Sequence, residues 1–269
     1  MILQFWGARG SFAVSGPEYL EFGGATPCAS LQADSRNFYL IDAGTGIRKC
    51  GEFLAAHLRG AKLTLLLTHF HLDHIIGLPS FQPLYDPRTL LVIYSSLKPE
   101  ETRQQLDRLM GHLFFPVSFS ETACQKEIHQ FRHSFSLGPV TVRTVTLPHP
   151  QGNTGLRFEG EGGSVVFATD AEPSEAGWSE EIINWAAEAD YLVADAMFTP
   201  EEYASGKKGW GHGSYEAAVH LAQQARCKHL VLSHWNPRHD DRRVEEIINQ
   251  VREKWPQAQG AKPGLKIEI

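Results

Sequence analysis

The sequence is poor in cysteine: four thiols in 269 residues, Cys28, Cys50, Cys124 and Cys227, far apart and with no CxxC pair. That spacing argues against a disulfide framework and for reduced thiols in a cytoplasmic protein. Each thiol reads as a small buried hydrophobe. Long apolar runs are also missing. The longest, such as residues 63–68, have strand length, well short of the ~20 residues that cross a bilayer, so no membrane partner is expected. The opening MILQFWGARGSF lacks a basic stretch followed by an apolar one, and is not read as a signal peptide. Positive charge is scarce: Lys and Arg number 25 against 31 Asp and Glu, a net charge of -6. No global field draws in long nucleic acid, although short or single-stranded RNA stays open. Neither a low-complexity tract nor a Gly-, Ser- or Pro-rich linker divides the chain, so residues 1–269 are expected to form a single domain.

Short apolar segments at 38–42, 63–68, 90–94, 140–146, 165–169, 191–194 and 229–233 read as strands ending in polar or glycine positions. Helical patterns follow several of them. Pro99 opens one with Leu106, Leu109, Met110 and Leu113 on a common face. Ser214 precedes another over 215–226. Asp240 or Asp241 can cap a third, whose Val244, Ile247, Ile248 and Val251 point inward until Pro256. Two stretches echo one another: Lys62-LTLLLTHFHLDH and Lys228-HLVLSHWNPRHD each run from lysine through an apolar strand into a histidine-bearing loop. The layout points to two similar halves sharing one edge.

The strongest local signal is His69-Phe70-His71-Leu72-Asp73-His74, directly after an apolar strand. Sites in α/β folds gather at the carboxyl ends of strands. His69 and His71, two residues apart in extended chain, can face the same way. Asp73 and His74 can then turn toward a second position. Imidazole and carboxylate suit Zn, Mn or Fe better than a soft-metal site. A solvated loop would explain one of these side chains but explains all four poorly. Three further residues end apolar segments: His149 in LPHPQGNTG, Asp170 in VVFATDAEP and His234 in HLVLSHWNP. Each alone reads as a cap or turn residue; together they bring the set to seven, enough for two metals sharing a carboxylate.

This series, HxHxDH followed by a separate His, an Asp and a final His, resembles the metallo-β-lactamase superfamily. The likeness covers nearly the whole chain, because LIDAGTG at 40–46 is similar to the superfamily's early strand and glycine turn. It implies an α+β fold: a four-layer αββα sandwich of two packed mixed sheets flanked by helices. It also implies that His69, His71 and His149 hold one divalent ion, zinc or else Mn or Fe, while Asp73, His74 and His234 hold the other and Asp170 bridges them. Asp42 would orient a ligand histidine from behind, or simply form the turn at the head of AGTG. Superfamily relatives leave a homodimer open, with no oligomer signal readable here.

His212 in Gly211-His212-Gly213-Ser214 and Asp195 in LVADAMF resemble the phosphodiesterase branch typified by ribonuclease Z, with Asp195 where a glutamate is usual. Asp73, His212 and Asp195 are therefore the candidate catalytic residues. Two metals ~3.5–4 Å apart can generate a bridging hydroxide and neutralise a phosphorane-like transition state. The departing alkoxide still needs a proton, which a histidine oriented by a carboxylate can deliver. The long tRNA-gripping arm of ribonuclease Z has no room here, since only 149–170 separates its flanking ligand motifs. A small phosphodiester such as a cyclic nucleotide is the expected substrate. The alternatives are an RNA nuclease, a hydrolase of thioesters, lactones or β-lactams, and a metal-bearing scaffold. The stretch FWGARGSF resembles a bacterial and archaeal subgroup of superfamily hydrolases. Its Arg9 can meet a substrate phosphate bidentately or pair with a carboxylate and fix the loop. Residues 78–85, with Pro79, Phe81 and Pro83, can wall the site against a nucleobase or pack in the core. His57, His112, His129, His133, His220, His229 and His239 carry no motif and are read as surface or packing residues.

Overall fold

A computed structural model describes residues 1–58 and 60–269. The first sheet holds β1 (Ile2–Gly7), β2 (Cys28–Gln32), β3 (Phe38–Ile41), β4 (Lys62–Leu66), β5 (Leu90–Ser95) and β6 (Gln125–Gln130). The second holds β7 (Ser134–Leu137), β8 (Val140–Leu147), β9 (Asn153–Gly160), β10 (Gly163–Ala168), β11 (Tyr191–Asp195), β12 (His229–Ser233) and β13 (Gln259–Gly260). The last strand, β14 (Lys266–Glu268), returns to the first sheet, whose order is β14-β1-β2-β3-β4-β5-β6; the second runs β13-β12-β11-β10-β9-β8-β7. Both sheets are mixed in the same manner. One flank is antiparallel, and β3 through β6 and β10 through β13 are parallel.

The period of two in each strand sorts side chains between two cores. In β3, Tyr39 and Ile41 join the core shared by both sheets, whereas Phe38 and Leu40 join the core on the first sheet's outer face. That outer face is covered by α1 (Ile47–His57) and α3 (Pro99–Leu109); α4 (Glu180–Ala186), α6 (Tyr215–Gln224) and α7 (Asp241–Lys254) cover the second sheet, and the short α5 (Pro200–Ala204) lies between α4 and α6 in the chain. The result is the expected four-layer αββα sandwich. Between the sheets, Leu31 and Ile41 lie in the same core as Val142, Leu156 and Phe158, all buried. Burying a side chain of this size contributes ~1.5–3 kcal/mol. All four cysteines are free and buried. Cys28, Cys50 and Cys124 lie in the outer core and Cys227 in the central one.

Several boundaries differ from the sequence reading. Segment 38–42 stops at Ile41 and segment 63–68 at Leu66, because Asp42 (φ 60°) turns the chain out of the sheet and Thr68 is drawn to it. Helix α3 ends at Leu109, which leaves Leu113 87% exposed and off the apolar face. Helix α6 ends at Gln224, two residues early. Asp240 is the cap of α7, accepting from the Arg243 N–H at 2.7 Å. Strands β1, β2, β6, β7, β9, β13 and β14 have no counterpart among the segments read from the sequence. The echoed segments fall on β4 and β12, one in each sheet, with their histidine loops at one edge.

Candidate active site

Parallel strands deliver the polar residues to one place. Asp42 follows β3, His69 follows β4, His149 follows β8, Asp170 follows β10, Asp195 ends β11 and His234 follows β12. His71 caps the short α2 (Leu72–Ile75), so Asp73 and His74 occupy its first turn. Asp42, Asp170 and His234 all sit at φ between 55° and 60°, the left-handed conformation that a non-glycine residue adopts at a cost of ~1–3 kcal/mol. The bend re-aims each side chain into the cleft.

Around the first position, each imidazole has one nitrogen engaged behind it. The Thr68 hydroxyl donates to Asp42 and lies 3.1 Å from His69 Nδ1, which donates to it. His71 Nε2 donates to Gln151 Oε1 at 2.7 Å, and His149 Nδ1 to the Gly211 carbonyl at 2.9 Å. These bonds set the tautomers and leave lone pairs on His69 Nε2, His71 Nδ1 and His149 Nε2. The three rings have donor atoms within 4.8 Å of one another. Behind the second position, His74 Nδ1 donates to Asp42 at 2.8 Å. His74 Nε2 then faces His234 Nε2 at 3.3 Å and Asp73 Oδ2 at 3.5 Å. Asp170 lies between the groups, 3.4 Å from His74, 3.2 Å from His234 and 3.9 Å from His69.

Electrostatics separate the two positions. Burial, helped by the nearby His74, lowers His69 to about 2 and leaves its ring neutral. Burial also lowers His149. For His74 burial acts downward but is outweighed by Asp170, Asp42 and Asp73, which raise it well above the usual value. Against their own burial, Asp73 is held low chiefly by His74, and Asp170 by His234 and His74. The cluster thus stabilises positive charge at its centre. His69 Nε2 and Asp170 Oδ2 are buried without a hydrogen-bond partner, which is costly unless a cation meets them. Imidazole and carboxylate donors around such a centre fit divalent metal ions.

Beside this cluster His212 Nδ1 lies 2.9 Å from Asp195 Oδ2, and its ring stacks on His234 with centroids 5.0 Å apart. Burial would discharge the ring, but the Asp195 carboxylate reverses this and, with Asp170, raises His212 to about 9. Nδ1 is committed to Asp195, which leaves Nε2 for a substrate atom.

Residues 37–235 match the family described as Beta-lactamase superfamily domain. The chain belongs to that family. A ribonuclease Z of Leuconostoc mesenteroides is 28% identical, with 86% of this chain and 87% of the relative aligned. The metallo-beta-lactamase fold protein YhfI from Bacillus subtilis superposes with a TM-score of 0.75 at 20% identity, covering 100% of this chain and 98% of that one. A diphosphatase from the PhnP family superposes at 0.71 and 22% identity, covering 100% and 97%. The protein is a metal-dependent hydrolase of the metallo-β-lactamase superfamily. Between His149 and Asp170 this superfamily member forms only β9, a turn and β10.

All seven residues of the ligand series, with His212 and Asp195, meet at this edge of the superfamily fold. Asp42 both forms the turn and holds His74. Arg9 does not face the site as a phosphate ligand. It is fully buried, donating to the carbonyls of Gly23, Asn236 and His239, with Asp241 3.7 Å away. It locks the N-terminal turn so that the Ser11 N–H donates to Asp73 Oδ2 at 2.7 Å. Gly10 is required there, because a Cβ would lie 2.4 Å from His234. Residues 78–85 form no wall: Leu78, Phe81 and Leu84 are fully buried in the outer core. His239 is a packing residue, buried beside Glu202 at 2.9 Å. Glu172 was missed altogether; its neighbour Asp170 drew the reading, and nothing in the type or spacing of Glu172 marks its partners.

Proposed function

We propose that residues 1–269 form a single dinuclear-metal phosphodiesterase domain acting on a small diester such as a cyclic nucleotide, with His212 as the proton donor. His69, His71 and His149 would hold one divalent ion and Asp73, His74 and His234 the other, with Asp170 between them; zinc suits the donor set, and Mn or Fe suit it too. Such ions supply an activated water and positive charge against the phosphoryl oxygens. The residues of the chain do the rest. Asp42 fixes the ring of His74 and, through Thr68, that of His69. Asp73 is itself positioned by the Ser11 N–H. Asp195 keeps His212 charged near neutral pH, so its Nε2–H can protonate the departing alkoxide.

The observation that carries this reading is the His212–Asp195 pair beside the ligand cluster, since cleavage of thioesters, lactones or β-lactams gives such a pair no evident task. Its test is turnover of bis(p-nitrophenyl) phosphate and of a cyclic nucleotide by the metal-loaded protein and by His212→Ala. The expected result is wild-type cleavage, with a small loss of kcat in the variant for the nitrophenolate leaving group and a loss of about 10²–10⁴-fold for a cyclic nucleotide, whose alkoxide needs the proton. Wild-type protein inert toward the diester but active on a thioester or lactone would overturn it.

The likeness to ribonuclease Z favours a second reading, a nuclease on short RNA. Against it stand the net charge of -6 and the short 149–170 interval. RNA cleavage that weakens steeply with salt, and outpaces cleavage of a cyclic nucleotide, would select the nuclease. The four buried, free thiols support a cytoplasmic setting, and among the described residues no helix is long and apolar enough to cross a membrane.

A further inference from the structure

The loop 205–213, which carries His212, is rich in glycine, and Gly206, Gly209 and Gly211 all adopt positive φ. Such a segment has little stiffness of its own. Two of its amides converge on one carboxylate: Gly209 N–H donates to Glu172 Oε1 and Gly211 N–H to Glu172 Oε2, each at 2.7 Å. Tyr203 donates to the same Oε1 at 2.7 Å. Glu172 is anchored in turn by its own N–H on the Pro148 carbonyl, beside His149, and it lies two residues beyond Asp170. The loop returns two contacts to the cleft. The Gly211 carbonyl accepts from His149 Nδ1, and the next residue, His212, meets Asp195. Gly211 approaches so closely that a Cβ there would fall 2.2 Å from His149 Nδ1.

We propose that Glu172 is a positioning residue for the reaction, a carboxylate latch that holds this glycine loop so that Gly211 orients His149 and His212 faces the substrate. The inference rests on the phosphodiesterase reading for its kinetic consequence but not for its structural one. A carboxylate accepts both amides at once. The isosteric amide turns one acceptor into a donor, which faces an N–H and releases that arm of the loop. The loop then samples open conformers, and the pairing of His212 with Asp195 is lost for part of the time.

The test compares Glu172→Gln, Glu172→Asp and Tyr203→Phe with wild type by two readouts. The first is amide hydrogen exchange at Gly209 and Gly211 in the metal-free protein, which needs no substrate. Exchange is expected to rise at least about tenfold in Glu172→Gln and to change little in Tyr203→Phe, which keeps both amide contacts. The second is kcat and KM across pH for a cyclic nucleotide, a diester whose alkoxide leaving group needs a proton. In Glu172→Gln kcat is expected to fall about 10–100-fold with KM nearly constant and the limb due to His212 displaced, while Glu172→Asp recovers part of the loss. Unchanged exchange in Glu172→Gln would overturn the latch, whatever the substrate proves to be. Faster exchange with wild-type kcat and pH profile would overturn its role in the reaction. Should Glu172→Gln fail to fold, exchange and kinetics on Glu172→Asp decide alone, and wild-type behaviour there overturns the proposal. Wild-type protein inert on the diester, with exchange raised as expected, would fault the substrate reading and leave the latch standing.

Discussion

The two ends of the parallel strands β10, β11 and β12 are built on opposite principles. At their amino ends Asp190 accepts from the Ser164 amide at 2.7 Å, the Ser164 hydroxyl at 3.0 Å and Lys228 at 2.7 Å. Among the described residues no buried side-chain N or O atom at this end lacks a partner, and the positive-φ residues Glu188 and Arg226 are exposed turns. At the carboxyl ends Asp170 and His234 adopt positive φ while buried, and Asp170 Oδ2, Asp195 Oδ1 and His234 Nδ1 lack hydrogen-bond partners. One end is arranged for stability. The other is held under strain by the sandwich so that its donors point at a common centre.

Substitutions on the two ends should therefore separate activity from stability. The largest effect is expected from Asp170→Asn, which removes the charge that the proposal places between the two metal positions. Turnover of bis(p-nitrophenyl) phosphate should fall about 10³-fold or more, with metal per chain reduced in elemental analysis. Retention of full metal content would break the assignment of Asp170 to a shared position. Next comes Asp42→Asn, outside the cluster but bonded to His74; competition with a chelator should show metal affinity about 10–100-fold weaker. Gly10→Ala should act more mildly, about tenfold on the same assay, because its methyl displaces His234 rather than removing it.

The smallest effect belongs to the opposite end. Asp190→Asn should leave kcat unchanged and lower stability by about 0.5–1 kcal/mol at pH 7, solvent screening included. Burial alone would raise Asp190, but Lys228 and Ser164 outweigh it and lower the folded-state value. The stability it contributes is thus present above the ordinary carboxylate range and disappears as pH falls through that lowered value. Urea titrations of both proteins from pH 7 to pH 3 should converge at the acid end. A constant gap across that range would mean that the ionised form of Asp190 contributes nothing.

The same contrast decides what could be read in advance. The central strands β4, β10, β11 and β12 are nearly continuous apolar runs because both faces are covered, and such runs stand out. The edge strands β6 (QKEIHQ) and β7 (SFSL) are polar and short, so periodicity gave no signal. In β1 and β2 the partners are set by antiparallel pairing, including the return of β14, and that register is absent from local pattern. Metal-capable residues were legible because their chemistry lies in their side-chain type at a strand end. Arg9 was legible in part: pairing with a carboxylate to fix its loop was one of two readings and Asp241 lies 3.7 Å away, but its hydrogen bonds go to backbone carbonyls as far as 230 positions off, which no pattern marks. Glu172 stayed hidden for the same reason: two of its three side-chain contacts are amides of a glycine loop.

The distribution of the four thiols between the two cores makes the chain its own reporter of unfolding. Burial raises Cys28, Cys124 and Cys227, the last to about 11, so in the native protein these sulfurs are both shielded and protonated. An alkylating reagent can reach them only when the packing around them opens. Peptide mapping after timed labelling would then clock two layers separately: Cys28, Cys50 and Cys124 for the helices over the first sheet, and Cys227 for the interior that carries the second.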